Sequence, residues 1–267
     1  MNYYHLGKDI MILQSDYHIH ASFYRLKAAD AEPGPTAAEQ QAAARAAGNR
    51  YIGILEHCNH AKHHPFHCLE LLSGEYHAPG FDRSDTFLGV EADLNNDGTD
   101  DCGVEGRARF GLHYVIGSVH LSPKIIPDVE SYIRIEYLRI RNTLLTNRNV
   151  DIIGHPFGEG YRYQAAGIVP NWGFHLIPPE YLREIADLAK RYRVALEINR
   201  NDPSDEVYVA FLKHLCSSKM LFAIASDAHK PECCPDAAIR TRWAKSLGFS
   251  EEFHWKPAIL KDIEEQK

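Results

Sequence analysis

Short apolar runs, each ending at a group able to bind a metal, alternate along this chain with stretches of helical spacing. The runs are Tyr17-His18-Ile19-His20, Ile54-Leu55-Glu56-His57, Leu88-Gly89-Val90-Glu91, Val115-Ile116-Gly117-Ser118-Val119-His120, Ile152-Ile153-Gly154-His155, Leu196-Glu197 and Ile224-Ala225-Ser226-Asp227-Ala228-His229. Between them, Thr36-Ala37-Ala38-Glu39 has the capping-box pattern and predicts a helix running to Gly48, just before a strand from Tyr51 to Leu55. Ser131 to Leu145 carries Ile133, Tyr137, Leu138, Ile140 and Leu144 at near-helical spacing and precedes a strand from Val150 to Ile153. The same arrangement recurs in Glu180 to Tyr192 before Val194 to Ile198, and in Asp205 to Cys216 before Leu221 to Ala225. Strands alternating with helices imply a parallel sheet. Seven such units, each polar where its strand ends, fit a closed barrel better than an open sheet. The expected architecture is α/β, a distorted (β/α)7 barrel resembling a TIM barrel, in one domain over 1–267, with the polar groups at the C-terminal ends of the strands.

Buried carboxylates and imidazoles are costly unless paired, so one shared cation site would satisfy this set together. Asp93-Leu94-Asn95-Asn96-Asp97-Gly98 opens like a calcium loop, but its twelfth position is Val104 where a bidentate Glu is needed, so a polar hairpin between the Glu91 and His120 strands is expected. The chain's 267 residues, 45% of them hydrophobic, suffice for one sizeable core. A formal charge of -7 and the lack of a Lys/Arg cluster weigh against a nucleic-acid partner. The 16 histidines are dispersed, with His63-His64 the longest run, unlike a tag. Six cysteines show no Cys-x-x-Cys spacing, and the apolar stretch Ile10 to Leu13 is too short to span a bilayer. A reducing cytoplasm without membrane attachment is the expectation; oligomeric state is unreadable.

The ordered series Asp16-Tyr17-His18-Ile19-His20, Glu56-His57, Gly89-Val90-Glu91, Ser118-Val119-His120, Gly154-His155-Pro156, Glu197-Ile198-Asn199 and Ser226-Asp227-Ala228-His229 resembles the polymerase-and-histidinol-phosphatase (PHP) family over about residues 14–248. That resemblance implies a distorted seven-stranded barrel with two or three divalent metals, usually hydrolysing phosphate esters. It implies one metal shell of His18, His20, Glu91 and Asp227, with Glu91 bridging to a second metal completed by His120 and His155. His57 and His229 resemble ligands of a third. Here the chain departs from the pattern, because Ala21 to Lys27 holds no further imidazole; His60, His63 or a water would have to complete that site. Glu56 stands where the family more often has Asp, either orienting His57, the favoured role, or ligating directly. Asp227 and Glu56 are the candidate catalytic carboxylates. The mixed ligands suit zinc, manganese or iron, and affinity order alone does not choose among them.

Hydrolysis also follows from the residues themselves. Two cations about 3.5–4 Å apart can clamp a phosphoryl oxygen and ready a hydroxide for in-line attack. No Gly-x-Ser-x-Gly elbow or His-assisted Cys motif offers another nucleophile. Arg200, Arg162, Arg25 and Lys124, each in a loop after a ligand-bearing strand, are the candidate phosphate contacts. Asn59 to Thr86 and Phe157 to Pro178 are candidate lids, whose aromatics either cover a substrate or pack the loops. The leading class is a phosphatase of small phosphate monoesters, with histidinol phosphate the substrate the resemblance implies. A phosphodiesterase or nuclease on nucleotides or short single strands is the runner-up, and a catalytically silent module the third.

Overall fold

A computed structural model describes residues 14–21, 34–59, 66–199 and 205–260. Its framework is a parallel sheet in sequence order: β1 (Ser15–His20), β2 (Tyr51–Leu55), β4 (Thr86–Asp93), β5 (Tyr114–Ser118), β6 (Ile152–Ile153), β7 (Ala195–Ile198) and β8 (Phe222–Ile224). Two-residue β3 (His57–Cys58) continues β2 beyond Glu56 and also pairs with β4. The expected seven strand positions are therefore present, with the second broken at Glu56. The sheet closes on itself: Ile19 bridges Ala228 in parallel, the His20 N–H donates to the Ala228 carbonyl at 2.8 Å, and the Ala228 N–H donates to that of His18 at 3.3 Å. Nearly every strand residue is buried on both faces, which is why the strands read as apolar runs.

The helices follow their local signals. α1 (Ala37–Ala46) starts at Thr36 with both hydrogen bonds of the capping box. α4 (Val129–Thr146) is capped by Asp128 and buries Tyr132, Ile133, Glu136, Tyr137, Ile140, Thr143 and Leu144. α6 (Pro179–Tyr192) has Pro at its first turn and buries Leu182, Ile185, Ala186, Leu188 and Ala189 in one stripe; α7 (Glu206–Ser217) is capped by Asp205. α5 (Tyr161–Ala165) is a short helix between β6 and α6.

Among the described residues, α5 and three longer helices have no counterpart in the sequence reading. α2 (His67–Tyr76) corrects part of the lid expectation over 59–86, because it buries Cys68, Leu69, Leu72 and Tyr76 instead of standing over the barrel mouth. Its cap position, Phe66, supplies no side-chain hydrogen bond, so the usual start signal is missing. α3 (Gly103–Phe110) contains two glycines and reads as a loop; Gly106 is required because a Cβ there would lie 2.7 Å from the Cys102 Sγ. α8 (Ala237–Ser246) is capped by Asp236 and carries the buried Arg240. The Gly98 segment is the expected polar turn, closed by an antiparallel bridge from Leu94 to Asp100. All six cysteines are free thiols, Cys233 and Cys234 included.

Aromatic rings fill the barrel axis below the polar groups. Tyr114 is fully buried and donates to the Tyr17 carbonyl at 2.7 Å. It fits because β2 and β4 carry glycine there: a Cβ at Gly53 would meet the Tyr114 hydroxyl at 2.1 Å, and one at Gly89 would meet its ring at 2.2 Å. Tyr17 and Trp255 pack against it with ring centroids at 6.1 and 5.6 Å, and Phe87 packs on Tyr17 in turn at 6.4 Å. Burying rings of this kind contributes about 2–3 kcal/mol each and leaves the opposite end of the barrel for chemistry. Among the described residues no helix is long and apolar enough to cross a membrane.

Candidate metal centre

Glu91 stands at the centre of the C-terminal face, fully buried in β4, with His57 as its register neighbour on β3. Its Oε2 lies 3.5 Å from His18 Nε2, 3.4 Å from His20 Nε2 and 2.9 Å from His57 Nδ1. Its Oε1 lies 2.8 Å from His155 Nε2 and 3.3 Å from His120 Nε2. One carboxylate thus turns an oxygen towards each of two imidazole groups.

The Oε2 side matches the shape of a four-coordinate cation site. Four donors tetrahedrally placed about 2.05 Å from one ion stand about 3.3 Å from each other. Here His18 Nε2 and His20 Nε2 are 3.1 Å apart, and Asp227 Oδ1 is 3.4 and 3.2 Å from them. With the two Glu91 distances, five edges of that tetrahedron fall between 3.1 and 3.5 Å. A second set, His57, Glu91 and His120, is clustered within 4.8 Å, with His155 joined to it through Glu91. A third comprises His57, His229 and, unforeseen from the sequence, His20, whose ring stacks on the other two at centroid distances of 4.3 and 4.1 Å. His60 and His63 lie outside the described residues.

Neighbouring side chains fix the orientation of these rings. His18 Nδ1 bonds Glu197 Oε2 at 2.7 Å, and His120 Nδ1 bonds Asp93 Oδ1 at 2.6 Å. His229 Nδ1 donates to the Asp227 carbonyl at 2.9 Å; because a carbonyl only accepts, the neutral ring keeps the lone pair on Nε2. Nothing local in the sequence marks Asp93 or Glu197 as ring-orienting, because their partners His120 and His18 lie 27 and 179 residues away. Asp93 opens the loop that resembles a calcium site, yet it lies two residues beyond Glu91 and so on the same face of β4. Gln40 of α1 ties the end of β1 down by donating to the His20 carbonyl at 2.6 Å. The backbone is contorted where side chains must turn inward: His155, Phe157 and Asp227, none of them glycine, have φ of 23°, 60° and 57°.

The other expected site residues are placed differently. The Glu56 backbone carbonyl accepts from the Glu91 N–H at 2.9 Å, and its buried carboxylate bears on the Cys68 thiol of α2, which burial first and that charge second push up to about 12. Arg162 is held by an ion pair with Glu159 one turn back, so its guanidinium is engaged within its own loop. Lys124 is exposed in the turn after His120. Arg25 and Arg200 lie outside the described residues. In the segment 157–178, Tyr163, Trp172 and Phe174 are buried and pack the loop onto the barrel, whereas Tyr161 is half exposed.

Burial and charge act on these imidazoles in opposite directions. Burial alone would lower His18, but Glu197, Glu91 and Asp227 outweigh it and hold the ring well above its ordinary value. Burial likewise opposes, and Glu91 and Asp93 overcome, for His120, which is also raised. His155 is raised to about 9 against its burial, chiefly by Glu91. Burial and the neighbouring His20 lower His57 and take His229 down to about 4. A raised imidazole keeps its proton to higher pH, and only its neutral form ligates. Apparent affinity for the cation on the His120 and His155 side is therefore expected to rise steeply between pH 6.5 and about 9. Rings already neutral there, such as His229, add little pH dependence. Competition titrations at the two pH values test this, and a flat profile contradicts it.

No protein-family model matches the chain. A stretch of 177 residues, 66% of the chain, is 29% identical to the DNA polymerase/3'-5' exonuclease PolX of Bacillus subtilis (strain 168). The chain spans only 27% of that relative's length. The crystal structure of histidinol phosphate phosphatase from Lactococcus lactis subsp. lactis, complexed with zinc, L-histidinol and phosphate, matches over 88% of this chain and 94% of its own, with 20% identity and a TM-score of 0.58. The PHP resemblance carried by the ordered motifs is thus borne out at the level of fold: this chain has the barrel of that phosphatase.

Proposed function

We propose that this chain is a metal-dependent phosphoesterase whose substrate is a small phosphate monoester. The observation that carries the reading is the Glu91 carboxylate with one oxygen towards His18, His20 and His57 and the other towards His120 and His155. Such sharing is what a pair of adjacent divalent ions requires, and the near-tetrahedral set with Asp227 has the size of a zinc shell. His18, His20, Glu91 and Asp227 would hold one ion, and Glu91, His120 and His155 a second, with His57 beside both. His20, His57 and His229 would hold a weaker third. When bound, such ions supply Lewis acidity towards a phosphoryl oxygen and lower the pKa of a water.

The protein's own groups do the positioning. Glu197 and Asp93 hold His18 and His120 with Nε2 inward, and Asp227 stands at the rim, one-third exposed; burial alone would raise its carboxyl, but His18 and His20 hold it well below the ordinary range, so it is ionised as a cation ligand must be. The Glu56 backbone carbonyl accepts from the Glu91 N–H while its carboxylate bears on Cys68 of α2, so Glu56→Gln is expected to cost less than loss of any Glu91-facing imidazole.

The structural neighbour, a histidinol phosphate phosphatase, holds L-histidinol and phosphate, the two products of cleaving histidinol phosphate, which makes that ester the first compound to assay. The stretch similar to an exonuclease-bearing polymerase supports the second reading, a phosphodiesterase on nucleotides or short single strands, while the charge of -7 weighs against long nucleic acids. A panel of p-nitrophenyl phosphate, bis-p-nitrophenyl phosphate, histidinol phosphate and a short single-stranded oligonucleotide separates them. Turnover of the monoesters is expected, abolished by chelation and restored by zinc, manganese or iron. Turnover confined to diesters favours the second reading, full activity after verified metal removal refutes both, and no turnover with loaded metal supports a silent module.

A further inference from the structure

His155 reaches Glu91 from an awkward place. It follows the two-residue strand β6, and the turn that delivers it, His155-Pro156-Phe157-Gly158, contains two non-glycine residues with positive φ, at 23° and 60°. Left-handed backbone at such residues costs on the order of 1 kcal/mol or more each and persists only where surrounding contacts over-determine it. One contact lies inside the turn: the Gly158 N–H donates to the His155 carbonyl at 2.6 Å. Gly158 also passes directly beneath the ring, since a Cβ there would lie 3.0 to 3.2 Å from His155 Cβ, Nδ1 and Cγ. The other comes from outside the barrel. Glu136, 1% exposed and in the middle of α4, reaches in so that its Oε1 accepts the Phe157 N–H at 2.5 Å.

A carboxylate buried in a helix–barrel interface is costly, and an apolar residue there would extend the packing of Ile133 and Ile140. Glu136 is not in any metal cluster and touches none of the Glu91 oxygens. Besides Tyr132 of its own helix, its partner is the backbone N–H of Phe157, one of the two residues that hold the turn left-handed. We propose that Glu136 is a positioning residue for His155, holding the Phe157 amide so that His155 Nε2 stays 2.8 Å from Glu91 and the second cation position keeps its ligand. The inference rests on the reading of His155 as a cation ligand.

The geometry separates an acceptor role from mere filling. Glu136→Gln keeps an oxygen that can accept the same N–H. Glu136→Leu keeps the bulk and loses the acceptor, and Glu136→Asp keeps the carboxyl group but withdraws the acceptor by one methylene. The expected result is wild-type cation stoichiometry in the Gln variant and a roughly 10- to 100-fold weaker second cation in the Leu variant, with Asp between them. The first cation, on the His18 and His20 side, stays at wild-type affinity in all three. Cobalt loading gives a readout that folding alone does not move, because the visible bands of the second equivalent should change in the Leu and Asp variants and not in the Gln variant. Should the Leu variant fail to fold, the Asp and Gln pair decides. The proposal is overturned if the Leu or Asp variant binds both equivalents as wild type does, or if the Gln variant loses the second cation as fully as the Leu variant. Wild-type protein that holds no cation at all would overturn the metal reading itself, a different outcome from either.

Discussion

Replacing Glu91 with glutamine is expected to lower turnover by about 10²-fold or more and to release at least one tightly held cation. The reason is that both oxygens are in use: Oε2 faces His18, His20 and His57, and Oε1 faces His120 and His155. A glutamine side chain has one acceptor oxygen, and its NH2 would present hydrogens to one of the two imidazole groups, so it cannot serve both. The charge is lost as well. Burial alone would raise the Glu91 carboxyl, but His120, His18 and His57 outweigh burial and hold it well below its ordinary range, so it is ionised wherever the enzyme would work. His57→Gln is the control, since His57 meets only one of the two oxygens and its loss leaves the near-tetrahedral set intact. Kinetics with a monoester substrate and elemental analysis after dialysis measure both consequences. Equal activity and equal metal content in the two variants would show that Glu91 is not shared.

The centre was more legible than the parts that hold it in place. Imidazoles and carboxylates at the ends of apolar runs are visible in a sequence because such residues have few other reasons to end a buried strand. The order of the runs predicted the order of the strands, and Thr36 with Glu39 marked the start of α1 because capping is local. What stayed hidden depends on distant pairings. Glu136 falls on the apolar face of its helix, between Ile133 and Ile140, and only its bond to the Phe157 N–H, 21 residues later, gives that carboxyl a partner outside the helix. Asp93 reads as part of a polar hairpin until His120, 27 residues later, is seen to lean on it. His20 could be assigned to one ion from the motif, but its stacking between His57 and His229 follows from barrel closure, which brings the β8 loop against β1. The unforeseen helix α2 and the loop-like α3 have no capping side chain at their starts, so propensity alone had to announce them and did not.

Closure of the barrel leads to the largest expected effect on stability, at Arg240. Asp16, fully buried at the start of β1, accepts from the Ser226 N–H at 3.0 Å and from the His18 N–H at 3.3 Å through Oδ1. Its Oδ2 faces Arg240 of α8 at 3.2 Å, and Arg240 also donates to Asn49 at 3.0 Å. One carboxylate therefore fastens β1, which carries His18 and His20, to the loop that carries Asp227 and His229. The guanidinium that balances it is only 4% exposed, so solvent screens the pair little. Arg240→Met preserves much of the length and packing but leaves Asp16 as an uncompensated charge in the core. Removing one partner of such a pair costs about 3–5 kcal/mol, on the order of 10 °C in Tm for a chain of this size. Asp16→Asn in the same background should recover part of that loss, because the amide oxygen can still accept from Ser226 while the stranded charge disappears. Thermal unfolding of the two single variants and the double variant tests the coupling. A double variant no more stable than Arg240→Met alone would mean that the loss comes from packing at α8 and not from the stranded carboxylate. A variant with an unchanged Tm would mean that the seam between β1 and β8 is held by its backbone hydrogen bonds alone.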